Sequence, residues 1–308
     1  MRAVVTGGAG CIGSELAEGL IARGDHVVVY DNFSSGCRER VAHLPCTVIE
    51  GDLLDRPAFE RAAAGADFIW HLAANPDVRF APGRDLEQNV IATHNVLETA
   101  RESGIRGLAF TSTSAIYGVS ETQPIPETHP PRPVSVYGAT KLAAEALVGA
   151  YAQMFGVRAW IFRLANIVGP KARTRGRTVI SDFVAKLREN PARLEILGDG
   201  RQAKSYLSSA ECIEAMLFAV ERACEPLNIF NVGGPDSLPV LRIAEMVAES
   251  MGLRDVEFVC TGGEGGWPGD VPRFRLDASA LGRLGWRARQ GSEESVRGAI
   301  RATLERLR

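Results

Sequence analysis

Tyr137 and Lys141 stand four residues apart in Val136-Tyr-Gly-Ala-Thr-Lys141, where the pattern turns helical. Side chains at that spacing leave the same helix face, so phenol and ammonium become neighbours. A free phenol titrates at about pH 10 and is a poor base at neutrality. A nearby cation favours the phenolate, so the pair predicts a tyrosine with a lowered pKa, able to take a proton from an alcohol. Taken alone, the same spacing also describes a surface tyrosine beside a solvated lysine. Its weight comes from the rest of the chain.

The partner lies at the start. Met1-Arg-Ala-Val-Val-Thr6 is an apolar run suited to a buried parallel strand. Gly7-Gly-Ala-Gly10-Cys-Ile-Gly13 follows, then an apolar-periodic helix from Ser14 to Arg23. The glycines fit Gly8-x-Gly10-x-x-Gly13 or Gly7-x-x-Gly10-x-x-Gly13. In either register the backbone can approach a pyrophosphate at a helix N-terminus, where free N–H groups and the helix dipole favour anions. The strand–loop–helix context separates this from an ordinary tight turn. A second strand, His26–Tyr30, ends at Asp31. A carboxylate about 20 residues past the glycines suits an adenosine ribose diol and repels a 2′-phosphate, which predicts NAD rather than NADP.

Elements able to position these groups alternate through the first half. Strands are predicted at 2–6, 26–30, 46–50, 67–72, 107–112 and 158–164, with helices near 12–23, 57–64, 84–103 and 137–155. This is the α/β pattern of a Rossmann-type, doubly wound parallel sheet, whose ligands sit at the carboxyl ends of the strands. Beyond Gly169-Pro170 the character changes. A basic loop over 171–177 leads to helices near 179–189, 210–223, 239–251 and 292–307, with short strands near 194–197, 228–232 and 256–259. A smaller α/β substrate domain is therefore expected over 169–308, after a cofactor domain over 1–168, with some chain crossing back.

The chain of 308 residues has room for both. A formal charge of −2 offers no basic field for nucleic acid. No apolar stretch reaches the roughly 20 residues needed to cross a bilayer. The first strand begins at once, leaving no room for a signal peptide, so cytoplasm is the expected location. Six scattered cysteines form no Cys-x-x-Cys pair, and no metal site is expected.

With these residues in view, the chain resembles the extended short-chain dehydrogenase/reductases, and among them nucleotide-sugar 4-epimerases of the UDP-glucose 4-epimerase type. The likeness runs through Gly7 to Gly13, Asp31-Asn-Phe-Ser-Ser-Gly36, Gly51-Asp52-Leu53, His71-Leu-Ala-Ala74, Asn89, Thr111-Ser-Thr113, Tyr117-Gly118, Tyr137-x-x-x-Lys141, Arg163-Leu-Ala-Asn166, Gly169-Pro170 and Gly198-Asp-Gly200. The resemblance implies that Gly7, Gly10, Cys11 and Ile12 cradle the pyrophosphate of NAD. It places Asp31, Asn32, Ser35 and Gly36 at the adenosine ribose and Asp52 and Leu53 at the adenine. Leu72, Ala73, Ala74 and Asn89 would line the cofactor groove, and Leu164 and Ala165 the nicotinamide. Thr113 would bind the reacting hydroxyl, Tyr137 act as base, and Lys141 orient ribose and activate the tyrosine. Asn166, Val179, Lys204 and Asp270 would contact the UDP-sugar. The implied cycle oxidises the sugar at C4, turns the keto sugar and reduces its opposite face.

Thr113 is followed by Ser114-Ala115, where related dehydratases carry Asp-Glu and decarboxylating relatives a glutamate at the second position. Neither residue here shuttles an extra proton, which favours plain epimerisation. Some positions depart from the family pattern. Lys204 stands for an arginine, Trp267 for a second phosphate-binding arginine, and the bulk of Phe274 suggests a sugar without a 2-acetamido group. The expected substrates are UDP-glucose and UDP-galactose. Alternatives are a UDP-uronic acid, with Arg79, Arg173 or Arg175 facing its carboxylate, a net dehydrogenase, or an NAD-sensing protein. Relatives pair through two long helices, so a homodimer through 84–103 and 137–155 is expected.

Overall fold

Alternating apolar strands and amphipathic helices give β1 (Arg2–Thr6), α1 (Cys11–Ala22), β2 (His26–Asp31), β3 (Thr47–Glu50), α2 (Arg56–Ala63), β4 (Phe68–His71), α3 (Pro82–Asp85), a π-helical segment over Leu86–Ile91, α4 (Ala92–Glu102), β5 (Gly107–Thr113), α5 (Val136–Phe155) and β6 (Arg158–Leu164). There follow β7 (Asn166–Val168), α6 (Val179–Glu189), β8 (Arg193–Ile196), β9 (Ala203–Lys204), β10 (Tyr206–Ser208), α7 (Ser209–Arg222), β11 (Leu227–Val232), β12 (Leu238–Pro239), α8 (Val240–Ser250), β13 (Glu257–Cys260), β14 (Arg273–Phe274), α9 (Ser279–Leu284) and α10 (Ser292–Glu305). The computed structural model describes residues 1–75, 82–171 and 178–307. The chain forms two compact units. The first holds Met1–Tyr117, Pro131–Arg163 and Ile213–Phe230; the second holds Gly118–Pro130, Leu164–Cys212 and Asn231–Arg308.

The first unit is built on a seven-stranded sheet in the order β3-β2-β1-β4-β5-β6-β11. From β3 to β5 every neighbouring pair is parallel, as expected of a doubly wound Rossmann-type fold. Ala3, Val4 and Val5 of β1 are wholly buried, because a parallel strand is covered on both faces. On one face Val4, Val28, Ile69 and Phe110 join Phe59 of α2, Val96 of α4 and Val148 of α5 in a single apolar cluster. Burying each such side chain contributes about 1.5–3 kcal/mol. The strand at 227–232, grouped by sequence with the second domain, is the edge of this sheet. Its apolar run marks a strand, but nothing local in it specifies which sheet it joins.

Strand order reverses between β1 and β4, and Thr6, Asp31, His71 and Thr113 all end strands there. α5 starts with Ser135 as its cap, whose hydroxyl accepts from Gly138 N at 3.1 Å. A Cβ on Gly138 would meet Ala115 O at 2.7 Å. That missing side chain lets the first turn of α5 settle against the backbone just past β5.

In the second unit Phe183 of α6, Leu194 and Ile196 of β8, Ile243 and Val247 of α8, and Val296 and Ile300 of α10 form a separate apolar cluster. α6 opens with a capping box between Thr178 and Ser181. Short strands pair as β7 with β10, β8 with β13, and β12-β9-β14. Among the described residues no helix is long and apolar enough to cross a membrane.

Candidate active site

The glycine loop runs from β1 into α1. Gly7 adopts φ +68°, and a Cβ there would meet Ala73 N at 2.7 Å. A Cβ on Gly13 would lie 2.3 Å from Gly7 O. Two glycines thus let the loop lie against the chain just past β4 and the first turn of α1. That turn has Gly10 as its N-cap with no side-chain cap, and the first turn of a helix is the end whose N–H groups and dipole favour an anion. Cys11 and Ile12 are half-buried at this turn.

Asp31 closes the second strand, 7% exposed. Its Oδ2 accepts from Ala9 N at 2.9 Å and its Oδ1 from Phe33 N at 2.8 Å. Burial raises its pKa, and those two N–H groups and Arg40 oppose the rise. Gly36 leaves room beside it, since a Cβ there would sit 2.8 Å from Asp31 Oδ1. Asn32 Nδ2 donates to Asp52 Oδ2 at 3.0 Å, and Asp52 Oδ1 takes Leu54 N at 2.9 Å. Ser35 is exposed. Leu53 is buried within the apolar cluster, so its side chain serves packing. An open loop at a helix N-terminus, glycines where no Cβ fits and a fixed carboxylate on the next strand suit a dinucleotide. Gly7, Gly10, Cys11 and Ile12 would hold its pyrophosphate, and Asp31 its ribose.

Thr113, Tyr137 and Lys141 come together in the first unit. Thr113 shares a hydrogen bond with the Tyr137 phenol, and its Oγ1 accepts from Ala115 N at 3.2 Å. Lys141 is 2% exposed, with Nζ 4.0 Å from the centroid of the Phe110 ring. One expectation is reversed. Burial pushes the Tyr137 phenol up to about 12, Thr113 opposing and Asp85 adding to the rise. Lys141 is not among the groups acting on the phenol; burial lowers Lys141 itself, to about 7, against the pull of Glu145.

A polar chain that sequence reasoning did not assign joins the two ends of this region. Thr6 Oγ1 and His71 Nδ1 are 2.7 Å apart, and His71 Nε2 and Thr93 Oγ1 3.0 Å. Thr93 donates to Asn89 O at 2.6 Å, so its hydroxyl accepts from Nε2–H of a neutral imidazole. Burial holds His71 down at about 3. Asn89 Nδ2 donates to Thr140 Oγ1 at 3.1 Å, which donates to Tyr137 O at 3.0 Å. Asn89 Oδ1 accepts from Asn75 N at 2.8 Å, which fixes the strand exit carrying the half-buried Leu72, Ala73 and Ala74. The available signal was the polarity of His71 and Thr93 at positions otherwise reading as core.

The second unit places Leu164 and Ala165 in buried backbone, each 7% exposed. Asn166 shares a hydrogen bond with the Tyr206 phenol, which burial pushes up to about 12. Lys204 Nζ is 2.6 Å from Asp270 Oδ1 and 5.0 Å from the centroid of the Trp267 ring. Asp270 Oδ2 also accepts from Gly266 N at 3.0 Å. Val179 packs on the unit's apolar cluster instead of standing free. Phe274, 6% exposed, is core. Arg79, Arg173 and Arg175 lie outside the described residues, as does most of the 171–177 loop. Among the described residues no group of His, Cys, Asp and Glu is placed to hold a metal ion.

A profile of the NAD dependent epimerase/dehydratase family matches residues 3–233. UDP-glucuronic acid decarboxylase 1 of Arabidopsis thaliana is 35% identical over 258 residues, 81% of this chain; the chain spans 58% of that relative's length. A crystal structure of UDP-galactose 4-epimerase is 42% identical, with TM-score 0.90 and full coverage of both chains. The UDP-glucose 4-epimerase of Thermotoga maritima, solved with UDP-glucose, is 30% identical with TM-score 0.92, again covering both chains fully. A glycine loop, a strand-end carboxylate and the Thr113–Tyr137–Lys141 cluster on this sheet agree with those matches: the chain belongs to the NAD dependent epimerase/dehydratase family, enzymes whose cofactor is NAD.

Proposed function

We propose that the chain is a UDP-hexose 4-epimerase that interconverts UDP-glucose and UDP-galactose. The observation carrying this reading is the hydrogen-bonded Thr113–Tyr137 pair, with Lys141 one turn on along α5 and with Ser114 and Ala115 after Thr113, which bring no acid or base of their own. Dehydration and decarboxylation each need a further proton transfer, whereas epimerisation needs one group to take and return the same proton.

NAD, when bound, would supply reversible hydride acceptance and a positive charge. Once ionised, Tyr137 Oη takes the C4 hydroxyl proton and later returns it, and Thr113 Oγ1 donates its one proton to the phenolate and, after the transfer, to the substrate oxygen. Lys141 contributes its cation as the phenolate forms. A phenol resting near 12 is a reluctant base, so the ligand-free chain keeps Tyr137 protonated until charge arrives beside it. In the second unit Lys204 would meet the diphosphate, exchanging its contact with Asp270 for one with phosphate, while Asn166 and Asp270 hold polar groups of the nucleotide. Val179 would contribute apolar surface.

The test incubates purified protein with UDP-glucose, UDP-galactose, UDP-N-acetylglucosamine and UDP-glucuronate without added NAD, following sugar configuration by NMR and NADH by absorbance. The two hexoses should reach one common mixture from either side. NADH accumulation would mean a dehydrogenase, and NAD binding without turnover a sensor. The 35% identical decarboxylase, whose name specifies UDP-glucuronic acid, makes turnover of UDP-glucuronate the second reading. We also propose that two copies pair through the helical run over 84–103 and α5, because Leu86 and Ile91 of the π-helical segment and Val136, Met154 and Phe155 of α5 expose apolar side chains; light scattering should give the mass of a dimer.

A further inference from the structure

One helical turn beyond Lys141, on the same buried face of α5, stands Glu145, 5% exposed. The proton transfers above do not use it. Arg163 Nε lies 3.2 Å from each of its carboxylate oxygens, and Nη2 lies 2.9 Å from Oε2. Arg163 Nη1 donates in turn to Tyr117 Oη at 2.9 Å. Glu145 comes from α5, Arg163 from β6, and Tyr117 from just past β5, so three parts of the first unit immobilise one carboxylate. A buried ion pair adds little net stability, because desolvation of both ions offsets their attraction. Stability alone is therefore a poor reason for burying three polar groups here. What the arrangement does is fix a negative charge one turn from a buried ammonium.

The other groups around that ammonium do not take this part. Phe110 of β5 offers a ring face. His71 of β4 feels the lysine's charge and is held neutral. Tyr137 is a protonated phenol with Asp85 of α3 acting on it. Arg163 is a cation, spent on Glu145 and Tyr117. Among the described residues, Glu145 is the carboxylate whose charge acts on Lys141.

We propose that Glu145, clamped by Arg163 and Tyr117, is a positioning residue that keeps Lys141 a cation inside its dry pocket. This rests on reading Lys141 as part of the active site, so the test observes Lys141 itself and not turnover alone. Only four of the 35 basic residues are lysines, at 141, 171, 186 and 204. Carbon-13 at lysine Cε therefore gives four NMR signals, and Lys141→Arg assigns the one of interest. In Glu145→Gln the titration midpoint of Lys141 should fall by on the order of one pH unit. The alkaline limb of turnover should move the same way. Tyr117→Phe, which leaves both charges, should shift it less. If Glu145→Gln does not fold, Glu145→Asp should lower the midpoint by a smaller amount. An unmoved midpoint in a folded Glu145 variant, or failure of both variants to fold, overturns the proposal and makes the pair a structural clamp. A Lys141 midpoint that depends on Glu145 in a protein that turns over no UDP-sugar would sink the epimerase reading and leave this one standing.

Discussion

Replacing Gly13 with alanine places a methyl group where the glycine loop has no space. The new Cβ would lie 2.3 Å from Gly7 O and 2.8 Å from Gly8 Cα. Comfortable contact needs roughly 3.5 Å, so one side must retreat by about 1 Å. Both obstacles are backbone of the loop that would hold the pyrophosphate. The loop cannot simply lift away, because Gly7 is packed over Ala73 N and held at φ +68°. Overpacking of this kind costs about 1–3 kcal/mol, equivalent to about 5- to 150-fold in NAD affinity if all of it falls on binding. Gly10→Ala is the internal control. Its Cβ meets only Gly7 O, at 3.0 Å, so its loss should be several-fold smaller. Calorimetric titration of NAD into protein stripped of cofactor measures both, with a thermal melt to show that the variants are folded. Wild-type affinity in Gly13→Ala, or a larger loss in Gly10→Ala than in Gly13→Ala, would refute the assignment of this loop to the pyrophosphate.

Tyr137→Phe removes one oxygen and should lower epimerase turnover by about 10²–10⁴-fold while NAD affinity stays within about twofold; turnover close to wild type would remove Tyr137 from the chemistry. Lys204→Met leaves Asp270, whose side chain is 4% exposed, as a buried charge without its cation. It should cost about 3–5 kcal/mol in denaturant titrations, most of it recovered in Lys204→Met/Asp270→Asn; a single variant as stable as the double would show that the pair does not matter. His71 sits at about 3 in the folded chain against 6.5 ordinarily, so the unfolded chain binds its proton first as pH falls. Its contribution is complete above pH 6.5 and drains away down to about 3. His71→Gln should flatten that acid limb of stability, and an unchanged limb would contradict the burial argument.

The parts of the site that were legible in the sequence are those whose chemistry lies in short spacing. Gly7 to Gly13 and Tyr137 to Lys141 each fall within one helical turn or loop, and Asp31 at the end of a strand follows from an apolar run of known length. Fold class followed from the alternation of strand and helix periods. What stayed hidden depends on long-range packing. Glu145 and Arg163 are 18 residues apart and Lys204 and Asp270 are 66 apart, and no local pattern pairs them. The lysine's effect on Tyr137 was misjudged because spacing gives proximity without giving dielectric. Burial on the sheet shifts both groups toward their neutral forms, a fact that resides in Phe110 and the sheet beneath, not in the Tyr-x-x-x-Lys spacing. The π-helical segment was read as part of one helix over 84–103, since nothing local in the sequence marks a wide turn inside a helical run.

That wide turn over Leu86–Ile91 amounts to a single-residue insertion in the run from α3 to α4. Each residue swings a helix by about 100°, so excising one would rotate Asp85 and everything before it around the axis. The bond from Asn75 Nδ2 to Asp85 Oδ1, now 2.9 Å, would be carried out of step with Asn89. A one-codon change in length at this spot would thus act as an evolutionary lever on Asp85, and through it on the Tyr137 phenol, while leaving the glycine loop between β1 and α1 in place.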